Sequence, residues 1–297
     1  MKTFTSKSEL KQAIEDYFFN KAKGDSDISN WDTSQITDMS KLFEYIKQKT
    51  VEPIILNWDT SNVTNMSHMF YYCEQDFILN FRRHEVGNEY QKALCNTSNV
   101  TNMSFMFTFA CNFNQPLNFD TSNVKNMSYM FHGATNFNQP LHFNTTNVVD
   151  INNMFYEATN FNQPLFFDTS NVTDMSGMFE YATSFNQPFY FNTSNVTNMS
   201  SMFYGATNFN QPLFFDTSNV NNIWFIFYAA TAFNNPIYFQ LDDDKYDMCI
   251  FEKSLLEKQE KKYVLTSQFY KKLLVFYVLN QITSELLYIC DAFEKFL

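Results

Sequence analysis

The side chains that could do chemistry are few in this 297-residue chain, and their spacing does not bring them together. The four histidines, His68, His84, His132 and His142, fit no HxxxH or HExxH pattern of a zinc site. The acidic run Asp242 to Asp244 could attract a cation, but such a run is more typical of a solvated turn. The sequence also has no glycine-rich phosphate loop and no GxSxG elbow. These patterns predict a protein that is not an enzyme and that holds no metal or cofactor.

One set of carboxylates does recur at a fixed spacing. Asp120, Asp168 and Asp216 are 48 residues apart, and Asn144 and Asn192 lie midway between them. A catalytic carboxylate is rarely duplicated along a chain, whereas a turn residue that caps neighbouring amides recurs with the structure that needs it. We therefore expect these aspartates to be structural caps.

Composition narrows the functional classes further. The net charge of −11 argues against a nucleic-acid groove and against an anionic membrane surface. No apolar run approaches the roughly 18 residues of a membrane span, and the first residues lack the apolar core of a secretory signal. The five cysteines are odd in number and form no CxxC pair, which favours a reducing compartment. We expect an intracellular protein of the cytoplasm or of a virion.

The chain is a tandem repeat, and the threonine of a TSNV-like motif marks each copy. The last six copies are 24 residues apart, whereas the first two gaps are 27 and 37 residues: Thr33, Thr60, Thr97, Thr121, Thr145, Thr169, Thr193, Thr217. The longer gap contains an insertion at residues 71–94. Repeats of this length cannot bury their apolar residues alone, so they are expected to stack on one another.

Because the spacing is strict, equivalent residues form columns. Valine, methionine or isoleucine, phenylalanine and alanine each recur every 24 residues, beginning at Val100, Met103, Phe107, Ala110, Phe113 and Phe119. Stacking these columns like on like predicts one continuous apolar core. A further column predicts a ladder of side-chain hydrogen bonds between repeats: Asn114, Asn138, Asn162, Asn186, Asn210.

Two local patterns recur inside each repeat. In PLFF, alternation places Leu165 and Phe167 on one face of a short strand and Phe166 on the other. In MSGMFEYA, apolar residues at i, i+3, i+4 and i+7 predict one or two turns of α-helix or 3₁₀-helix. Each repeat is therefore expected to pair a short strand with a short helical piece.

The repeat pattern W/F-D-T-S-N-V-T-N-M-S-x-M-F-x-x-A-T-x-F-N-Q-P-L resembles that of the BspA-type leucine-rich-repeat-like surface proteins, in the branch of mycoplasmal-lipoprotein repeats of unknown function. The opening FTSKSELKQAIEDYF, followed by DISNWDTSQITDMSKLF, resembles the usual entry into such an array. The match runs from Phe4 to Phe239. The resemblance implies a right-handed leucine-rich-repeat-like solenoid, with phenylalanine and methionine in place of leucine. It also implies adhesion or protein interaction without catalysis, although the chain lacks the signal and lipobox cysteine of the bacterial members.

The predicted fold is a repeat solenoid of short strands and short helical turns with helical caps at both ends. Residues 1–24 form the N-terminal cap, where Ser6 or Ser8 is the expected N-cap and Leu10 and Ile14 lie on the buried face. Residues 25–244 form eight or nine coils, including the insertion at 71–94. Residues 245–297 lose the repeat and are rich in Lys, Glu and Leu, which predicts helices that cap the last coil or dock a partner.

One outward column carries large rings where polar residues are expected. We call its members the aromatic stripe: His142, Phe166, Tyr190, Phe214 and Tyr238. Contiguous exposed aromatic residues are typical of an interface, although a neighbouring element could instead cover the stripe as a second core. The insertion carries Arg82, Arg83 and His84, which belong either to a functional loop or to a decoration packed on the flank.

These features favour a non-catalytic protein-interaction or structural solenoid that contacts a partner protein or other copies of itself. A carbohydrate-binding or adhesion module is the alternative, because aromatic rings beside Asn and Gln suit a neutral glycan. Between Cys95 and Gln240 the single Lys or Arg is Lys125, so charge attraction is not expected to steer partners to this flank.

Overall fold

The structure is a computed structural model that describes residues 2–20, 27–47, 53–75, 77–79 and 96–235. Several predictions concern residues outside these ranges. They are the aromatic Tyr238, the basic group Arg82, Arg83 and His84, the acidic run at 242–244 and the C-terminal segment 245–297.

The predicted N-terminal helix is α1 (Lys7–Phe19). Ser6 is its N-cap, because the Ser6 side chain accepts a hydrogen bond from the Glu9 N–H at 3.3 Å. Leu10 and Ile14 are buried, as their spacing predicted. In the part of the chain that the structure describes, no helix is long and apolar enough to cross a membrane.

Helix α1 is attached to the start of the repeat array by one ion pair and by ring contacts. The Lys7 ammonium lies 2.9 Å from the Asp38 carboxylate, and the Phe18 ring centroid lies 6.4 Å from that of Phe77. The buried face of α1 therefore covers the apolar end of the stack, which a repeat protein must shield from water.

Each repeat is joined to the next by a parallel bridge between equivalent residues. Seven such bridges link eight residues of the described chain: Asp38, Asn65, Asn102, Asn126, Asp150, Asp174, Asn198 and Asn222. On one side of a bridge, the Met103 N–H donates to the next repeat, at 3.0 Å from the Asn126 carbonyl oxygen. On the other side, the Lys125 N–H donates back to the Thr101 carbonyl at 2.9 Å. Parallel pairing of this kind places each residue beside its counterpart in the next repeat.

The predicted apolar columns form the core. In the column from Phe107 to Phe227 every ring is at most 1% exposed, and successive centroids are 5.6–5.7 Å apart with interplanar angles of 3–8°. The column that begins at Phe113 lies against it, with centroids 3.9–4.1 Å apart within a repeat. Such offset stacking adds to the stabilisation that the buried area provides.

The helical prediction for the segment after each TSNV-like motif is wrong. The N–H groups of Met106 and Thr108 donate to carbonyls three residues earlier, at 3.3 and 3.2 Å. Those of Phe105 and Phe107 donate to carbonyls of the next repeat, both at 2.9 Å. An α-helix needs each of these N–H groups for a bond four residues back, so the bonds between repeats exclude it. The apolar spacing instead belongs to a series of tight turns that place Met106, Phe107 and the following Ala110 inside.

The polar residues of the repeated motif also join neighbouring repeats. The buried Thr121 hydroxyl donates forward to the Asn144 carbonyl at 2.9 Å, and the Asn123 side-chain amide donates back to the Ser98 carbonyl at 2.7 Å. The same two bonds recur along the array. Each repeat is therefore hydrogen-bonded to both neighbours through side chains as well as through the backbone.

The recurring aspartates are structural caps, as predicted. In Asp120, Asp168 and Asp216 one carboxylate oxygen accepts the backbone N–H two residues later, at 3.0 Å in each case. Asn144 and Asn192 use their side-chain oxygens in the same way. The position needs an acceptor oxygen and not a charge, which explains why Asp and Asn alternate there.

The predicted asparagine ladder is present, but it runs from side chain to backbone. The Oδ1 atom of each asparagine accepts the backbone N–H of its counterpart in the next repeat, with a distance of 2.9 Å at every step from Asn114 to Asn234. The following glutamine adds a second bond, as when Gln163 Nε2 donates to Asn138 Oδ1 at 3.2 Å. The ladder thus satisfies backbone donors that no strand partner would otherwise reach.

The first part of the insertion packs on the flank of the array. Its strand β2 (Phe77–Leu79) pairs in parallel with β1 (Ile54–Leu56), and Ile54 lies opposite Phe77. The buried Phe77 ring lies 4.4 Å from that of Phe43 and 5.3 Å from that of Phe70. Residues 77–79 therefore fit the packed reading of the insertion.

Asn162→Ala should destabilise the chain by about 1–2 kcal/mol, because the Asn186 N–H and the Gln187 amide both lose the acceptor that Asn162 Oδ1 provides at 2.9 and 3.1 Å. Asn160→Ala is the matched control, since Asn160 is exposed and its amide makes one long bond of 3.4 Å to Asn136. Urea unfolding measures both free energies. Equal losses would show that the ladder does not stabilise the stack.

Candidate interaction surfaces

The aromatic stripe lies outside the core, as its alternation predicted. Leu165 and Phe167 are 3% and 6% exposed, whereas Phe166 between them is 55% exposed. His142 is exposed one repeat earlier. These two positions are the part of the stripe that is open to solvent.

The rest of the stripe is less accessible. Tyr190 and Phe214 are half-buried, and each makes a further contact. Tyr238 lies outside the described residues. The interface reading therefore fits His142 and Phe166, while the partly covered rings of Tyr190 and Phe214 share features of the second-core reading.

A second aromatic surface lies on the tight turns, and the sequence analysis missed it. Its rings contact one another from repeat to repeat, with centroids 4.4–6.1 Å apart. We call this series the tyrosine ridge: Tyr45, Tyr72, Phe109, His132, Tyr156, Tyr181, Tyr204 and Tyr228. The ridge extends along most of the described array, and its rings range from half-buried to exposed.

Two glycines make room for the ridge. Gly133 and Gly205 have φ values of +64° and +63°, and a Cβ at either position would come within 2.4 Å of the Phe109 ring or 2.6 Å of the Tyr181 ring. Each glycine follows the overlying aromatic residue by one period. This pairing is the sequence signal for the ridge, which is hard to see because its rings are spread over neighbouring columns.

His132 belongs to this ridge and is not the exposed residue that its variable column indicated. Its ring lies 4.5 Å from those of Phe109 and Tyr156. Burial lowers the pKa of His132 to about 4, so the ring is neutral at pH 7. Its Nε2 atom is buried, and no described group is hydrogen-bonded to it. His132 therefore acts as an aromatic packing residue.

Four carboxyl groups lie beside the ridge in two adjacent repeats. We call them the acidic patch: Asp150, Glu157, Asp174 and Glu180. Burial, followed by repulsion from Glu157, raises the pKa of Glu180 to about 7. Burial and repulsion from Asp174 also raise the pKa of Asp150, although the Asn152 N–H partly offsets this effect.

The acidic patch acts on the neighbouring tyrosines but has no cation beside it. After burial, the charges of Asp150, Asp174 and Glu180 raise the pKa of the Tyr129 hydroxyl. Lys125 is the single Lys or Arg between residues 96 and 235, and the ion pair found in the described chain is the remote Lys7–Asp38. The patch therefore carries negative charge that these residues do not neutralise.

The described residues do not offer chemistry beyond binding. They contain no group of three or more His, Cys, Asp or Glu side chains that could hold a metal ion. The cavity between α1 and the first repeat is an open groove of about 410 Å³, lined among others by Lys11, Glu15, Phe19, Glu44 and Tyr45. The arrangement can present rings and carboxylates to a partner.

Comparison with known proteins identifies the repeat. A family model described as "Mycoplasma protein of unknown function, DUF285" matches three successive segments, at residues 12–88, 76–166 and 165–254. The three matches together span most of the chain and establish it as a tandem-repeat protein. A search among curated proteins found no match, and neither did a search among solved structures.

Glu180→Gln should stabilise the chain at high pH. Because folding raises the pKa of Glu180 from 4.5 to about 7, the charged carboxylate opposes folding above pH 7 and has no such effect below pH 4.5. The expected gain at pH 8 is about 1 kcal/mol after solvent screening, and it should vanish by pH 4. Urea unfolding at pH 4, 6 and 8 measures it. Glu74→Gln, at an exposed glutamate, is the control, and a pH-independent gain would contradict this reading.

Proposed function

This chain belongs to the family described as "Mycoplasma protein of unknown function, DUF285", and from this premise we propose that it is a non-catalytic scaffold for protein interaction. Its repeats would use their stacked interior for stability and their outward rings for recognition. The partner would be another protein or further copies of this chain, as in a virion or a cytoplasmic assembly.

We further place the repeats among leucine-rich-repeat-like solenoids of the BspA type, with phenylalanine and methionine in place of leucine. Three features support this placement: the unbroken parallel bridges, the continuous phenylalanine columns and the helix α1 at the start of the array. Solenoids of this kind offer long surfaces that suit extended partners.

The exposure of Phe166 carries the proposal. A phenylalanine that is 55% exposed, between two buried neighbours, presents apolar surface that the chain itself does not cover. Burying such a ring in an interface is favourable by about 1.5–3 kcal/mol. Its neighbours in the aromatic stripe, His142 and Tyr190, lie one repeat away on either side, so a partner could contact several of them in a row.

An intracellular setting remains part of the proposal. Two cysteines within the described ranges are unpaired, and one of them, Cys111, is exposed, while Cys73 is buried. An exposed free thiol persists most readily where the surroundings are reducing.

Phe166→Ser should weaken binding while leaving the fold intact, because it removes an exposed ring. We expect the unfolding free energy to change by less than about 0.5 kcal/mol and association to weaken at least about tenfold. Sedimentation of the purified protein measures self-association, and crosslinking in cell extract followed by titration of the captured protein measures binding to a partner.

Two variants control this experiment. Val149→Ser removes an apolar side chain that is 43% exposed in another column, and it should leave association unchanged. Phe167→Ser alters a buried ring and should cost about 3–5 kcal/mol of stability. Unfolding of Phe166→Ser would show that the stripe is core. Binding that depends on Phe166 on a glycan array, without any protein contact, would support the carbohydrate-binding alternative instead.

A further inference from the structure

We propose that the tyrosine ridge, where it borders the acidic patch, binds a basic polypeptide segment. Its lysine or arginine side chains would lie over Tyr156, Tyr181 and Tyr204 and pair with Glu157 and Glu180. This inference rests on the proposed scaffold role but assigns the partner's chemistry on a different face from the aromatic stripe.

The rings provide a continuous surface at this point. The centroids of Tyr156 and Tyr181 are 6.1 Å apart, and those of Tyr181 and Tyr204 are 5.1 Å apart. Tyr181 is 38% exposed and the other two are half-buried. Hydrogen bonds hold the hydroxyls in place, from Tyr156 to Glu157 and between Tyr181 and Tyr204. Tyrosine faces attract lysine and arginine head groups, and their alkyl stems pack well on such rings.

The carboxyl groups supply the complementary charge. Glu157 and Glu180 are in adjacent repeats, where the Glu157 N–H donates to the Glu180 carbonyl at 2.8 Å. Their carboxylates repel each other, and within the described residues the Glu180 carboxylate accepts no side-chain hydrogen bond. A guanidinium or ammonium group between them would relieve this repulsion and supply the missing donors.

Other ligand classes fit this face less well. Within the described ranges these carboxylates do not form a group that could hold a metal ion. A neutral glycan would stack on the rings but would leave the negative charge without compensation. A basic peptide uses both features, because its cations pair with the carboxylates and its stems cover the rings.

Binding of a basic peptide should strengthen as the pH rises from 6 to 8. The groups that face Glu180 are Glu157 and the hydroxyls of Tyr129, Tyr156 and Tyr181, while the nearby His132 stays neutral because burial lowers its pKa to about 4. The carboxyl of Glu180, whose pKa is raised to about 7, is therefore the group that gains charge in this range. Lysine and arginine remain charged throughout it.

The test is fluorescence anisotropy of the full chain with labelled octa-arginine and octa-lysine peptides, against an octa-glutamine peptide. We expect both basic peptides to bind at pH 8 and low salt. The double variant Glu157→Gln, Glu180→Gln should weaken binding about tenfold and remove most of the change between pH 6 and 8.

The matched control is Asp168→Asn, Asp216→Asn, which removes the same amount of charge from another column. Its caps should survive, because Asn144 and Asn192 make the same backbone bond. This variant should change peptide affinity less than about twofold. Equal weakening in the two double variants would overturn the proposal in favour of attraction by net charge, and so would the absence of binding by either basic peptide. If the peptides fail while Phe166→Ser still loses a partner, the scaffold role survives and this assignment alone is wrong.

Discussion

The parallel register between repeats is the constraint on which the rest of this structure depends. From Asn102 onward each bridge joins residues that are 24 positions apart, so every side chain lies beside its counterpart in the next repeat. A residue type is therefore tested against its own copy. Apolar residues satisfy that test by stacking, as the rings of Phe131 and Phe155 do at 5.6 Å.

Polar residues satisfy the same constraint in a different way. A side chain that can both accept and donate is able to bond the repeat above or below without changing the register. Thr169 donates forward to the Asn192 carbonyl at 2.9 Å, and Asn195 donates back to the Ser170 carbonyl at 2.6 Å. These bonds satisfy backbone carbonyls that short, strand-poor repeats would otherwise leave to water.

The register also explains why the acidic patch stands out. Neutral asparagine stacks on itself without penalty, and Asn198 even donates to Asp174 at 3.2 Å. Two adjacent carboxylates cannot do this, and repulsion between Asp150 and Asp174 contributes to the raised pKa of Asp150. Repeats 150–157 and 174–180 retain four acids where neighbouring repeats mostly have neutral residues, so stability does not account for them. A surface that tolerates such repulsion is the surface where a cationic partner gains most.

The sequence by itself determined the period, the core columns, the N-cap at Ser6 and the capping role of the recurring aspartates, because each of these follows from residue type repeated at one spacing. Only the tertiary structure decided the path of the turns. Their apolar spacing suits a helix, but the backbone of Phe105 and Phe107 bonds to the next repeat, and propensity within one repeat does not reveal that competition. The tyrosine ridge was hidden for the same reason. Its contacts join different columns, as when the Tyr181 ring lies over Gly205, and such contacts arise only once the repeats are stacked.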